Sequence, residues 1–351
     1  MDAIFRAVVN EIEEAVEIDL DGDGRIGNRA PTAPMPKPTE AYVETVQAAN
    51  GRAPNHRSLF IGINYIGSSA ELRGCINDVR TLQALVERLG FPLDDMRTLT
   101  EEEDLAGWAA QPTKAEIVAH LDWLVEGALP GDTLFLHYSG HGTSVTDHSG
   151  DEEDGKDEAL VPLDYQSAGM ITDDEIYARV VGRLPDGVRL TAVLDCCHSG
   201  TLLDLPFMFE ATKDNLAAGR ALASRKKRAK YANRGAMFAA AFADRDVDAT
   251  ETPGPDVIMF SGCKDSQTSA DVSNTNSFDV PADPNDPGSA GGACTNSLAE
   301  ILCKYPTLRY TQLLKLMREN LERRGFTQIP QMSSSKKVDL NAVFSLWGHF
   351  D

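Results

Sequence analysis

Two short apolar runs, each ending in a glycine-containing turn, constrain this chain most. Asp132-Thr-Leu-Phe-Leu-His-Tyr138 runs into Ser139-Gly-His141-Gly142, and Arg189-Leu-Thr-Ala-Val-Leu194 runs into Asp195-Cys-Cys197-His-Ser-Gly200. Their brevity, their branched and aromatic residues and the immediate turns predict buried strands rather than helices. In an open parallel sheet, reactive groups gather at the carboxyl ends of the strands, so two such neighbours would bring His141 and Cys197 to one crevice. A thiol attacks a carbonyl as its thiolate and needs an imidazole or a helix N-terminus to lower its pKa. His141 is the candidate base and Cys197 the candidate nucleophile, with residues 199–204 reading as a turn entering a helix. The backbone N–H groups of Gly142 and Cys197 are candidates for an oxyanion hole, glycine leaving room for close approach. His137, inside its strand, and His198 read as structural, whereas Cys196 is a competing thiol.

The remainder alternates in the same manner. Strands are expected over 58–63, 96–99, 158–163, 256–260 and around Gln331, and helices over 75–89, 114–125, 173–181, 296–303 and 310–323. This order predicts an α/β fold, with a mostly parallel central sheet of about six to eight strands and helices on both faces. The 351 residues suffice for one large domain with extensions or for two small ones. One domain over 56–351 is expected, in which the pattern weakens at a linker loop (210–255) between a larger part (56–209) and a smaller part (256–351). Residues 1–55 read as an extension: an amphipathic helix, an acidic loop and a Pro-rich linker. The first helix carries acidic side chains, unlike a signal peptide, and no run approaches the roughly 18 apolar residues of a membrane span. Six cysteines without a Cys-x-x-Cys pair suggest neither a zinc ribbon nor a redox couple, and fit a reducing, cytoplasmic setting. A formal charge of −21 disfavours nucleic acid and favours basic substrates or cations. Asp19, Asp21 and Asp23, followed by Gly24 and Ile26, reproduce the first half of an EF-hand loop. Ala30 stands where the bidentate Glu belongs, so a plain Asp/Gly turn is the alternative.

His141 and Cys197 lie 56 positions apart, close to the roughly 50 of caspases, yet the cysteine motif is not their Gln-Ala-Cys. Tyr138-Ser-Gly-His-Gly142 and Asp195-Cys-Cys-His-Ser-Gly200 closely resemble the two motifs of the metacaspases, caspase-fold proteases of plants, fungi and protists. The resemblance runs over about 57–332 and is to a type I member. It implies a monomeric cysteine endopeptidase, made as a zymogen, in which Cys197 is the nucleophile and a thioester acyl-enzyme forms. It further implies a substrate pocket at Cys75, Asp78, Ser139 and Asp195, whose carboxylates suit an Arg or Lys side chain. A helix N-terminal carboxylate is the plainer reading of Asp78. Calcium is implied at Asp157, Asp173, Asp174 and Asp204, an ion that would activate by assembling the loops and need not take part in the chemistry. The run Asp151, Glu152, Glu153, Asp154 reads as solvated. Arg225, Lys226, Lys227, Arg228 and Lys230 would fit the enzyme's own pocket as a self-cleavage site, Arg52 and Arg57 being second candidates and a solvated basic patch the alternative. The rival readings are a catalytically silent calcium-binding scaffold and a peptidase selective for Asp.

Overall fold

The structure, a computed structural model, describes residues 34–147, 155–196, 200–218, 222–223, 254–262, 271–272 and 291–348. The expected first helix, the half EF-hand with Asp19, Asp21 and Asp23, the acidic run 151–154, the basic cluster 225–230 and Cys197 lie outside the described residues.

The strands are β1 (His56–Gly62), β2 (Asp95–Thr100), β3 (Trp108–Ala110), β4 (Thr133–Ser139), β5 (Gly142–Thr146), β6 (Lys156–Leu160), β7 (Ile171–Thr172) and β8 (Arg189–Asp195). They continue with β9 (Phe207–Glu210), β10 (Leu222–Ala223), β11 (Asp256–Ser261), β12 (Asp271–Val272), β13 (Gly291–Gly292) and β14 (Gln331–Ser334). The longer helices are α1 (Glu40–Asn50), α2 (Cys75–Arg88), α3 (Lys114–Val125), α4 (Asp173–Arg179), α5 (Ala293–Lys304) and α6 (Tyr310–Arg323). Threonine starts three of them by the same device: Thr39 Oγ1 accepts from Tyr42 N, Thr113 Oγ1 from Glu116 N, and Thr172 Oγ1 from Glu175 N.

The main sheet has nine strands in the order β10-β9-β14-β11-β8-β4-β1-β2-β3, one more than expected. From β11 to β3 all neighbours are parallel, and β14, β9 and β10 complete one edge antiparallel. Strands β4 and β8 are buried at every position, which is why they read as continuous apolar runs rather than alternating ones. One face packs Phe60, Phe135, Val193 and Phe260 under α2, α5 and α6. The other packs Leu59, Leu136, Leu190 and Met259 under α3 and α4. The chain leaves β1 toward β2 and returns to the other side of β1 as β4, so the strand order switches direction between β1 and β4. Their carboxyl ends are the place where such sheets bind ligands.

The helix expected over 199–204 does not form among its described residues. Residues 200–203 make turns, Asp204 takes a left-handed backbone (φ 55°), and the strand β9 follows Pro206. Leu202, Leu203 and Leu205 are all buried in one core cluster, so no polar face exists for a helix to present. Helix α1 was not anticipated either; it buries none of its residues and therefore carries no strong apolar stripe.

Candidate active site

Strands β4 and β8 are in register, with Tyr138 opposite Leu194 and Ser139 opposite Asp195. The carboxyl ends of the two strands therefore open side by side. His141 follows β4 at once, and β8 delivers the chain through the buried Cys196 to Cys197.

His141 is held from four sides. Its backbone N–H donates to Tyr65 Oη (3.0 Å), and its carbonyl accepts from Tyr138 Oη (2.8 Å). The Tyr65 ring lies 4.8 Å from the imidazole, tilted by 38°. Nε2 lies 2.8 Å from the carbonyl oxygen of Ala70. A carbonyl only accepts, so Nε2 carries the proton and the basic lone pair is on Nδ1. The Ala70 carbonyl thus supplies the orienting group that a thiol–imidazole pair requires. Gly140 permits the turn: a Cβ there would stand 2.8 Å from Tyr138 Oη and 3.2 Å from Tyr65 Oη. Gly142 opens β5 opposite Leu160, next to the pair in which Val161 N–H donates to the His141 carbonyl (3.2 Å). Hydrogen-bonded pairs alternate in an antiparallel ladder, so the N–H of Gly142 points away from β6, as an oxyanion donor must.

By contrast, His137 is fully buried in β4. Its Nδ1–H donates to Val193 O (2.9 Å) while Nε2 has no partner, and burial pushes its pKa down to about 4. It is a neutral packing residue.

Cys75, Asp78, Ser139 and Asp195 are all buried. Ser139 Oγ donates to Asp78 Oδ2 (2.6 Å). The N–H of Gly292 donates to both oxygens of Asp78 (2.8 and 2.9 Å), Asn296 Nδ2 to Asp78 Oδ1 (3.1 Å), and Thr295 N–H to Asp195 Oδ2 (2.8 Å). Two carboxylates therefore sit at the N-terminus of α5, where the helix dipole and the first-turn amides favour negative charge. A Cβ on Gly292 would fall 2.2 Å from Asp195 Oδ2. Gly292, Thr295 and Asn296 were not foreseen; they act from a helix more than ninety positions past the nucleophile motif, and nothing local marks them. Cys75 is the first residue of α2, and Asp78 stands one turn further on the same helix.

Asp157 in β6, Asp173 at the start of α4 and Asp204 are buried, whereas Asp174 is half-buried. Thr201 Oγ1 donates to Glu158 Oε2 (2.9 Å) and Asp204 N–H to Thr201 O (2.7 Å), tying the Asp204 turn to β6. Strand β7, which leads into Asp173, pairs with β6 as well. The four carboxylates thus come from neighbouring elements, and their hard oxygens suit calcium. Among the described residues, no three His, Cys, Asp or Glu side chains are already gathered as a metal cage.

Two second-choice cleavage positions are unsuited to that role. Arg57 lies inside β1, between β2 and β4, and donates to Asp95 and to the carbonyls of Trp123 and Glu126. Arg52 is clamped by both oxygens of Asp132 (2.6 and 2.8 Å). Cleavage after Arg57 would first require unfolding of β1, and cleavage after Arg52 would first require breaking its pair with Asp132.

Residues 56–206 match the family model described as metacaspase, peptidase C14 domain. The chain is 42% identical over 290 residues to Metacaspase-2 of Trypanosoma brucei brucei, covering 83% of this chain and 76% of that one. It is 42% identical over 321 residues to Metacaspase-3 of Trypanosoma cruzi (89% and 82%), and 41% over 306 residues to Metacaspase-1 of Mycosarcoma maydis (82% and 72%). A crystal structure of a protein from Geobacter sulfurreducens shares the fold at a TM-score of 0.50 and 25% identity, covering 82% of this chain and 97% of that one. Fold and relatives together define a cysteine-type peptidase of the caspase-like class, whose substrates are proteins or peptides. The chain belongs to the metacaspase family, in its type I branch.

Proposed function

We propose that this metacaspase is a calcium-activated endopeptidase that cleaves after Arg or Lys. The thiolate of Cys197 attacks the scissile carbonyl, with His141 taking the thiol proton. The oxyanion of the tetrahedral intermediate is met by the N–H groups of Gly142 and Cys197. As the intermediate collapses, the C–N bond breaks and His141 protonates the departing amine, leaving a thioester on Cys197. Water, deprotonated by His141, then releases the acid and regenerates the thiol.

The observation that carries the specificity is the acidic pair. Asp78 and Asp195 are buried, hydrogen-bonded by backbone and side-chain donors, and placed at the ends of elements that lead to the site. A guanidinium or ammonium leaves water only for such a counter-charge. An Asp side chain would meet like charge there, which disfavours the Asp-selective rival. Calcium, held by Asp157, Asp173, Asp174 and Asp204, would supply positive charge that offsets their mutual repulsion. Those residues in turn order β6, α4 and the Asp204 turn around the crevice. Self-cleavage at Arg225 to Lys230 follows from the same specificity.

The test is hydrolysis of fluorogenic peptides ending in Arg, Lys or Asp by the full chain, with calcium and with a chelator. Turnover of the Arg and Lys peptides only with calcium, abolished in Cys197→Ala, is expected. No turnover by folded protein at any calcium level would establish the scaffold, and cleavage after Asp alone would overturn the pocket. Self-cleavage should appear as a calcium-dependent mass change that Cys197→Ala lacks.

A further inference from the structure

We propose that Glu101 is a positioning residue for the catalytic imidazole; the proposal rests on the reading of His141 as the base. Glu101 follows β2 directly and touches neither His141 nor the acidic pair. Its carboxylate instead accepts three consecutive backbone N–H groups at the carboxyl end of the adjacent strand β1: Asn64 (2.6 Å), Tyr65 (3.1 Å) and Ile66 (2.7 Å). Successive amides converging on one anion form a nest, and a negative charge is the natural occupant.

That nest holds an unfavourable backbone. Tyr65 has φ 51°, in the left-handed region that a bulky L-residue rarely enters. The conformation is needed because it turns the Tyr65 ring onto His141 and sets its hydroxyl to accept from His141 N–H and donate to Val161 O (2.6 Å). The same loop carries Ala70, whose carbonyl fixes the imidazole tautomer. Leu72 N–H to Asn64 O (2.7 Å) and Ser68 N–H to Tyr65 O (3.0 Å) close the loop on itself. Asn64 Oδ1 anchors its far end by accepting from Cys75 N–H (2.9 Å). Side-chain anchors thus hold both flanks, and Glu101 is the one on the flank that bears Tyr65. Without its charge the three amides lose their common acceptor, Tyr65 relaxes toward an ordinary φ, and the ring and carbonyl that aim His141 move with it.

The experiment uses the full chain with calcium. Glu101→Ala and Glu101→Gln are compared with wild type for kcat and KM on an Arg-ending peptide, for the iodoacetamide alkylation rate of Cys197 by peptide mapping, and for melting temperature. A misplaced base costs rate rather than binding, so kcat should fall about 100-fold in Glu101→Ala and about tenfold in Glu101→Gln, with KM within about threefold. Cys197 alkylation near neutral pH should slow in the same order. The glutamine keeps one acceptor oxygen and the shape, so it tests the charge even if the alanine variant does not fold. Glu102→Gln, which removes a surface pair with Arg80 (2.6 Å), should leave both rates unchanged. Wild-type kcat and alkylation in Glu101→Gln would overturn the proposal, as would a rise in KM with kcat unchanged. If wild type cleaves no basic peptide, the substrate reading fails, but the alkylation rates still decide the role of Glu101.

Discussion

Two histidines four positions apart show how environment sets chemistry. His141 stands at a strand end with a carbonyl on Nε2 and Nδ1 left basic. His137 is walled into β4, where protonating Nε2 would create a buried charge with no acceptor. Burial holds its folded-state pKa down to about 4, whereas the unfolded chain titrates near the ordinary 6.5. The unfolded state therefore binds more protons between those values, and stability is complete above about pH 6.5 and declines as pH falls toward 4. The decline from this one group is on the order of 3 kcal/mol. Denaturant unfolding of His137→Phe against wild type at pH 7 and pH 4.5 should show a smaller acid loss in the variant; equal losses would remove His137 as the cause. At this scale the sequence was partly legible. His141 and the residues Ser139 and Asp195 lie inside two recognisable motifs, and Asp78 was expected beside them from the resemblance. Tyr65, Ala70 and Glu101 could not, because they act through a left-handed backbone, a carbonyl and a nest of amides, none of which leaves a mark on residue type.

Among the elements, α5 joins the smaller part of the chain to Asp78 and Asp195. Its first turn supplies the donors for Asp78 and Asp195, and Gly292 lets the helix end approach them. Gly292→Ala would drive a methyl group into Asp195, so the acid must rotate or the helix must back away. The expected result is a KM for Arg and Lys peptides raised about tenfold or more, with Cys197 alkylation little altered; an unchanged KM would detach α5 from specificity. Helices α3 and α6 were legible to the residue because each combines a clear stripe with end signals. In α6, Tyr310, Leu313, Leu314, Met317 and Leu321 fall on one buried face. The short strands β3, β9 and β10 were not legible, since two to four residues carry too little periodicity to be told from a loop. The supposed helix after the cysteine motif failed for the opposite reason: its leucines suited either a helix or a buried turn, and only Pro206 and the left-handed Asp204 decide between them.

Across the whole molecule the chemistry sits at the carboxyl ends of the strands, while the amino ends are closed by both extremities of the described chain. Met35 is buried against Leu346, whose N–H lies 3.5 Å from its sulfur, and Ser345 Oγ donates to Pro36 O (2.9 Å). From residue 34 onward the extension is therefore part of the folded body. A cleft of about 430 Å³ opens at this end, lined in part by Tyr42, Asp132, Arg189, Lys337 and Trp347, at the opposite end of β4 and β8 from His141. Beneath it Arg189, at the start of β8, is buried; Nη1 donates to Asp256 (2.7 Å), and Nη2 to Ser345 O (3.0 Å) and Tyr310 Oη (3.3 Å). This one guanidinium binds β8, β11, α6 and the C-terminal segment. Arg189→Leu would strand Asp256 and two buried oxygens, costing about 3 kcal/mol, toward the lower end for a buried pair because Asp256 is about a quarter exposed and can rehydrate. Arg189→Leu combined with Asp256→Leu should recover part of that loss, since no charge is then left unpaired. The active site is a full strand length away, so kcat/KM at 25 °C should stay within about twofold while the denaturant midpoint falls. A fall in kcat/KM without a fall in stability would show that the two ends of the sheet are coupled, and that the amino-end cleft communicates with the thiol.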